Sequence, residues 1–205
     1  MLGAWVSGSG VQAELLDRLV AVVGSRPILD SDVRLASGLR LVDLPPGSQE
    51  SETVAALVDR ALMLDEVDRF GPGEPEEAAV EGRFNAIRTQ LGTEIVTSVL
   101  EQTGVPEAAL QGWLRDQIRL ERYLEQRFNA MAQPTSDEVQ TYYADHPEEF
   151  TSGGTRRPLA DVEDAIQQKL AAARRTTLVA DWLQALRRRA RIRLLSASEV
   201  QPGPR

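Results

Sequence analysis

His146 is the only histidine among the 205 residues, and cysteine is absent. Thiolate zinc sites, iron–sulfur clusters, disulfides and thiol nucleophiles are therefore excluded. A histidine metal site needs several ligands, which carboxylates would have to supply here. A Ser-His-Asp triad would have to be built on His146, which stands in a His-Pro-Glu sequence at a helix end and reads as a capping residue. The acidic clusters Glu74, Glu76, Glu77 and Asp145, Glu148, Glu149 lack the alternating oxygen ligands and the glycine of an EF-hand loop. The first suits the opening turn of a helix, where negative charge meets the positive end of the dipole. No carboxylate pair stands out for acid–base hydrolysis. Neither a phosphate-binding glycine loop nor a Gly-x-Ser-x-Gly elbow is present. The residue types thus lead us to expect no catalytic residue, no metal and no cofactor.

Charge narrows the partners. The chain carries a net charge of −8, whereas nucleic-acid binding is driven by cationic neutralisation of phosphates. The charge is uneven. Residues 1–150 hold 12 basic and 26 acidic residues, a net of −14, and residues 151–205 hold 11 and 5, a net of +6. The basic stretch Arg187, Arg188, Arg189, Arg191, Arg193 fits a helix C-terminus favoured by the dipole and docked on an acidic body. Lys169 is the single lysine. No run of apolar residues approaches the 18 or so that span a bilayer. At the N-terminus, Leu2–Val6 is a short apolar stretch followed by small residues and Val11-Gln12-Ala13, a pattern that signal peptidase reads. Residues 1–13 thus fit a signal-peptide remnant or a disordered segment, with Glu14 as the mature start.

The elements follow from periodicity and breakers. The length suits one domain, or one with an appendage, able to bury roughly 70% of its unfolded surface. Leu19–Val23 and Pro27–Leu29 are short β-branched or apolar runs around Gly24-Ser25-Arg26 and predict a hairpin. Asp30-Ser31-Asp32 caps a helix over about 32–41. After Pro45-Pro46-Gly47, apolar residues at Val54, Leu57, Val58, Ala61, Leu64 and Val67 predict a helix over about 52–70. Further helices are expected from Pro75 to Gly92, from Thr93 to Gln102, from Pro106 to about Met131, and over 137–145. Residues 151–157 read as a flexible linker by composition. A last helix runs from Pro158 to about Ala190, and Arg191–Leu195 alternates as a strand. The fold class is mainly α: a helical bundle-like domain with a small sheet formed by the N-terminal hairpin and the C-terminal strand. Residues 14–150 and 158–195 complete one domain, and 196–205 are a frayed tail.

Four segments together carry a resemblance. RLVAVVG of Arg18–Gly24 with PILDSDV of Pro27–Val33 is similar to the opening hairpin and first helix of the SurA-type periplasmic chaperones and their parvulin-type foldase relatives. LVDRALMLDEV of Leu57–Val67 is similar to a helix of that family. PTSDEVQTYYADHPEEF of Pro134–Phe150 resembles the segment that precedes its prolyl isomerase domain. PLADVEDAI of Pro158–Ile166, with Trp182, Leu183 and Ala190–Ile192, looks like the segment that follows it. The resemblance covers roughly residues 14–195. In the family about a hundred residues of parvulin domain separate the last two segments; here only 151–157 do. The isomerase activity therefore does not carry over.

What the resemblance implies is a SurA N-terminal-type domain that holds unfolded secreted or outer-membrane polypeptides without ATP, in the periplasm or otherwise outside the cytoplasm. Such binding needs exposed apolar patches rimmed by polar groups. The candidates are Trp113, Tyr123, Phe128, Met131, Tyr142 and Tyr143. Each also reads as core, since aromatics at helical spacing belong to packed faces more often than not; Trp182 reads as core outright. Tyr142 and Tyr143 are adjacent and face different directions, so one is expected to be exposed. A second expectation is a non-enzymatic module that docks one dedicated partner, or dimerises by swapping its last helix across the linker. A third is a degenerate peptidyl-prolyl isomerase.

Overall fold

The computed structural model describes residues 17–195. The expected signal remnant 1–13, the start at Glu14 and the tail 196–205 lie outside the described residues. The order of elements is β1 (Leu19–Val23), β2 (Arg26–Leu29), α1 (Asp30–Gly38), α2 (Glu50–Phe70), α3 (Glu77–Leu91), α4 (Thr93–Thr103), α5 (Glu107–Ala132), α6 (Ser136–Asp145), β3 (Thr151–Ser152), β4 (Thr155–Arg156), α7 (Glu163–Arg189) and β5 (Ile192–Leu194). Single turns of 3-10 helix occupy Pro147–Phe150 and Leu159–Asp161. The chain is mainly helical with a small sheet, as its pattern predicts.

The sheet order is β2-β1-β5, antiparallel throughout. The two ends of the chain therefore meet on the middle strand, with Val22 opposite Pro27 on one side and Arg193 on the other. Pro27 sits on an edge strand, where a missing donor is tolerated. A one-residue bulge near Val20 breaks the alternation, so Val20 and Ala21 are both buried. They pack with Val23, Ile28, Val33, Leu57, Val58 and Leu186 into one apolar cluster shared by the sheet, α1, α2 and the end of α7.

Helix ends account for most differences from expectation. The α1 helix begins at Asp30, two residues early, because the Asp32 carboxylate accepts the Leu29 N–H at 2.8 Å. It stops at Gly38 rather than 41. Arg40 adopts φ 52, and Leu41 N–H returns to Ala36 O at 2.9 Å, closing a Schellman motif. Gly38 is where α1 crosses α4: a Cβ there would lie 2.9 Å from Val99 Cγ1. Pro75 lies before α3 rather than in its first turn, and Pro106 and Pro158 cap helical turns rather than belong to them.

The predicted flexible linker is a correction. Residues 151–157 form a β-hairpin, Thr151 opposite Arg156, turning through Gly153 and Gly154 at φ 58 and 81, both positive as a type I′ turn demands. The Tyr143 hydroxyl donates to Arg157 O at 2.5 Å, and the Arg156 guanidinium lies 3.9 Å from the Tyr143 ring. The hairpin reverses the chain, so α7 returns antiparallel to α5. Arg174 reaches Gln133 O, Trp182 meets Phe128 and Tyr123, and Arg187 reaches Asp59. Arg187 grips the Asp59 carboxylate with both Nε and Nη2, at 2.6 and 2.5 Å, and Arg189 pairs with Glu66 at 3.2 Å. The basic end of α7 thus sits on acidic α2.

Candidate functional site

Trp113 sits on α5 one position before Leu114, which is packed with Leu110 and Ile118 against Val80 and Phe84 of α3. Its ring is consequently turned to the seam, half-buried, with a cleft on each side. One, of about 300 Å³, lies between α3 and α5 and is floored by Leu39, Ile87, Leu91 and Leu114. The other, of about 180 Å³, lies toward β2 and α2. Arg60 closes the second. Its guanidinium carbon is 4.2 Å from the Trp113 ring centroid, and Nη2 donates to Trp113 O at 2.9 Å. No carboxylate among the described residues pairs with Arg60, and its enclosed Nε has no partner. Burial pushes the guanidinium pKa down to about 10, against the pull of Asp116 and Asp32. Burial likewise raises the carboxyl of Asp32, at the same cleft, despite the Leu29 N–H it accepts.

Tyr123 and Phe128 lie elsewhere, 5% and 4% exposed, in the seam between α5 and α7. Both contact the Trp182 ring, at 5.8 and 5.6 Å. They are core residues: the returning α7, which the sequence pattern could not orient, covers them. Trp182 is half-buried, with its Nε1 enclosed and unpartnered. Met131, near the end of α5, is 55% exposed.

Tyr142 and Tyr143 are both half-buried, contrary to the expectation that one would be exposed. The turn at Pro147–Phe150 brings the Phe150 ring over the pair, 6.3 and 5.1 Å from them. The Tyr142 hydroxyl donates to Glu149, which also accepts from Lys169, both at 2.7 Å. Lys169 first, then Tyr142, holds the Glu149 carboxyl below its usual range. His146 caps α6: its Nδ1 lies 2.9 Å from Tyr142 O and its ring stacks on Tyr142 at 4.0 Å. Beside them an open groove of about 350 Å³ runs between α6 and α7, with Leu170 and Tyr142 in its floor and Asp137, Glu138 and Arg174 at its rim.

Another groove, of about 450 Å³, crosses α1 and α4 over Val33, Gly38 and Val99. The six candidates are therefore not one site. Trp113 borders two clefts, Tyr142 borders another, Met131 stands apart, Tyr143 supports the hairpin, and Tyr123 with Phe128 form core. Sequence reasoning missed Arg60 and Asp32. A signal for Arg60 existed: it lies three residues after Leu57 and four before Leu64, on the apolar stripe of α2. The acidic residues Glu74 and Glu77 are engaged with Arg115, at 3.8 and 2.9 Å. Among the described residues no group of three His, Asp or Glu is placed to hold a metal, and no helix is long and apolar enough to cross a membrane. No protein-family profile matches the chain, and no curated protein matches it.

Proposed function

We propose that the chain is an ATP-independent holdase for unfolded polypeptides, acting in the periplasm or otherwise outside the cytoplasm. The observation that carries this reading is the set of separate open grooves at Trp113, at Tyr142 and at Val99, each with an apolar floor and a charged rim. A binder that must accept many sequences needs several weak apolar contacts rather than one deep, selective pocket. The likeness of four segments to the SurA-type chaperones points the same way, as does the mainly helical fold with its terminal strands paired. The test is light scattering from a diluted, unfolded β-barrel protein and from a second, unrelated client, each with and without the chain. Suppression of both is expected; no effect on either at excess chain overturns the reading.

A second reading, a module that docks one dedicated partner, is favoured by β5. Its Arg193 is paired with Val22, while the main chain of Ile192 and Leu194 lies on the outer edge, and the Leu194 side chain is 66% exposed. Among the described residues no strand pairs with that edge, and an edge of that kind accepts an added strand. Suppression of only one client, or of neither alongside tight binding of one protein, selects this reading.

A further inference from the structure

Arg60 is placed where helix packing alone would favour a leucine or methionine. It lies on the apolar stripe of α2, facing Trp113, and burial penalises its charge. Replacing a buried charge by an apolar residue of similar volume is often neutral or stabilising, so its presence asks for a reason. Its donors are unequally used. Nη2 holds Trp113 O, Nε is enclosed without a partner, and among the described residues nothing bonds Nη1. Across the same cleft, one oxygen of Asp32 accepts the Leu29 N–H, and its second oxygen makes no bond to a described residue. Asp32 and Arg60 form no ion pair with each other. Arg60 and Asp32 thus line one cleft with an apolar floor of Ile28, Leu57 and Leu64, and each has a polar atom that bonds no described residue.

Size and charge decide what fits. At about 180 Å³ the cleft has room for roughly six waters at about 30 Å³ each and is smaller than the roughly 300 Å³ of the smallest small-molecule pockets. Arg26 at the mouth is already engaged by Asp65, at 2.8 Å, and by Asp68. Asp32 and Arg60 both line the cleft, so a free anion meets a carboxylate there and a free cation meets a guanidinium. A neutral group with one acceptor and one donor suits the pair, and a peptide unit is such a group.

We propose that this cleft is a subsite for one residue of an extended polypeptide. A compact apolar side chain lies on Ile28, Leu57 and Leu64, the main-chain carbonyl accepts from Arg60, and the main-chain N–H donates to Asp32. The proposal rests on the polypeptide-binding reading above and adds to its grooves the smaller cleft on the other side of Trp113, with the residue class it selects.

The test uses the full chain, labelled with ¹⁵N, and peptides of the form acetyl-Gly-Gly-X-Gly-Gly-amide with X as Leu, Gly, Asp, Lys or Trp. The indole cross-peak of Trp113, at the cleft wall, is followed through each titration, with that of Trp182 as an internal control. The Leu peptide is expected to shift the Trp113 signal and leave Trp182 unmoved, and to bind more tightly than the others. Arg60→Met is expected to weaken it about tenfold, the worth of one hydrogen bond to a charged group, while the urea midpoint stays unchanged or rises. A merely structural Arg60 would lower the midpoint instead. Equal binding of the Leu, Asp and Lys peptides, no shift at Trp113, or a loss of binding that only tracks a loss of stability overturns the proposal. The scattering assay separates the two levels. Client protection by the wild type with a flat peptide series removes the subsite and leaves the holdase; Arg60-dependent peptide binding without client protection removes the holdase and leaves the subsite.

Discussion

Trp182 gives two substitutions that the structure orders sharply. Its ring bridges Tyr123 and Phe128 at 5.8 and 5.6 Å, and the Arg127 guanidinium carbon lies 5.5 Å from it. Its indole N–H, however, is enclosed without an acceptor. Truncation to alanine removes the ring and both aromatic contacts. Aromatic-to-alanine changes in cores cost about 3–5 kcal/mol, and the half-buried position of Trp182 places the loss near the lower end, about 3 kcal/mol. Phenylalanine keeps a ring in the seam and deletes the unpartnered donor. The smaller ring costs about 1–2 kcal/mol, and relief of a buried, unsatisfied group returns about 1–3 kcal/mol. Trp182→Phe is therefore expected between about 1 kcal/mol less and about 2 kcal/mol more stable than wild type, and Trp182→Ala about 6–12 °C lower in Tm, at about 2–4 °C per kcal/mol for a domain of this size. Urea and thermal unfolding followed by far-UV circular dichroism measure both without relying on the deleted fluorophore. A Trp182→Phe loss exceeding half of the alanine loss would refute the reasoning, because the indole N–H would then be making a bond worth keeping.

Three more outcomes follow from helix ends and caps. Gly38→Ala puts a methyl 2.9 Å from Val99 Cγ1 and is expected to cost about 1–2 kcal/mol, overpacking partly offset by helix propensity; adding Val99→Ala should recover most of that specific clash, and a double-mutant cycle with no coupling rules the contact out. Arg40→Gly relieves a left-handed residue worth about 1–2 kcal/mol against about 0.5–1 kcal/mol of added unfolded-state entropy, so a gain of about 0.5–1 kcal/mol in urea unfolding is expected. The Glu138 carboxyl is held below its ordinary value by the Thr135 N–H first and then by Arg174. Its stabilising effect is therefore present above the ordinary value of 4.5 and lost as pH falls through the lower folded value. Melting curves of wild type and Glu138→Gln should differ at pH 7 and converge toward the acid end, and a gap independent of pH would contradict the assignment.

The helices were legible because their apolar spacing and their breakers agree, as at Leu57, Val58, Ala61 and Leu64 between Pro46 and Gly71. The closure of the sheet was legible because Leu19–Val23 and Arg191–Leu195 are too short to stand alone. The hairpin at 151–157 was not, because Gly-Gly supports both a flexible linker and a type I′ turn, and the choice is made by Tyr143 and Arg156, contacts no local pattern contains. Register along long helices was also hidden. Tyr123 and Phe128 carry both a client-contact and a core reading in the sequence, and the core reading holds because α7 returns over them. Arg60 escaped notice because a single charge within a helical stripe looks like its solvated face until the neighbouring helix is known to lie on that side.

The middle place of β1 in the sheet sets an order on folding. Its first partner, β2, follows after two residues, but its second, β5, lies at the other end of the described chain, and Leu186 completes the same cluster. Pairing across so long a stretch comes late, because the entropy of closing that loop is lost before its contacts reward it. Until β5 docks, the folding chain carries a bare strand edge, the kind of template that other chains can pair with.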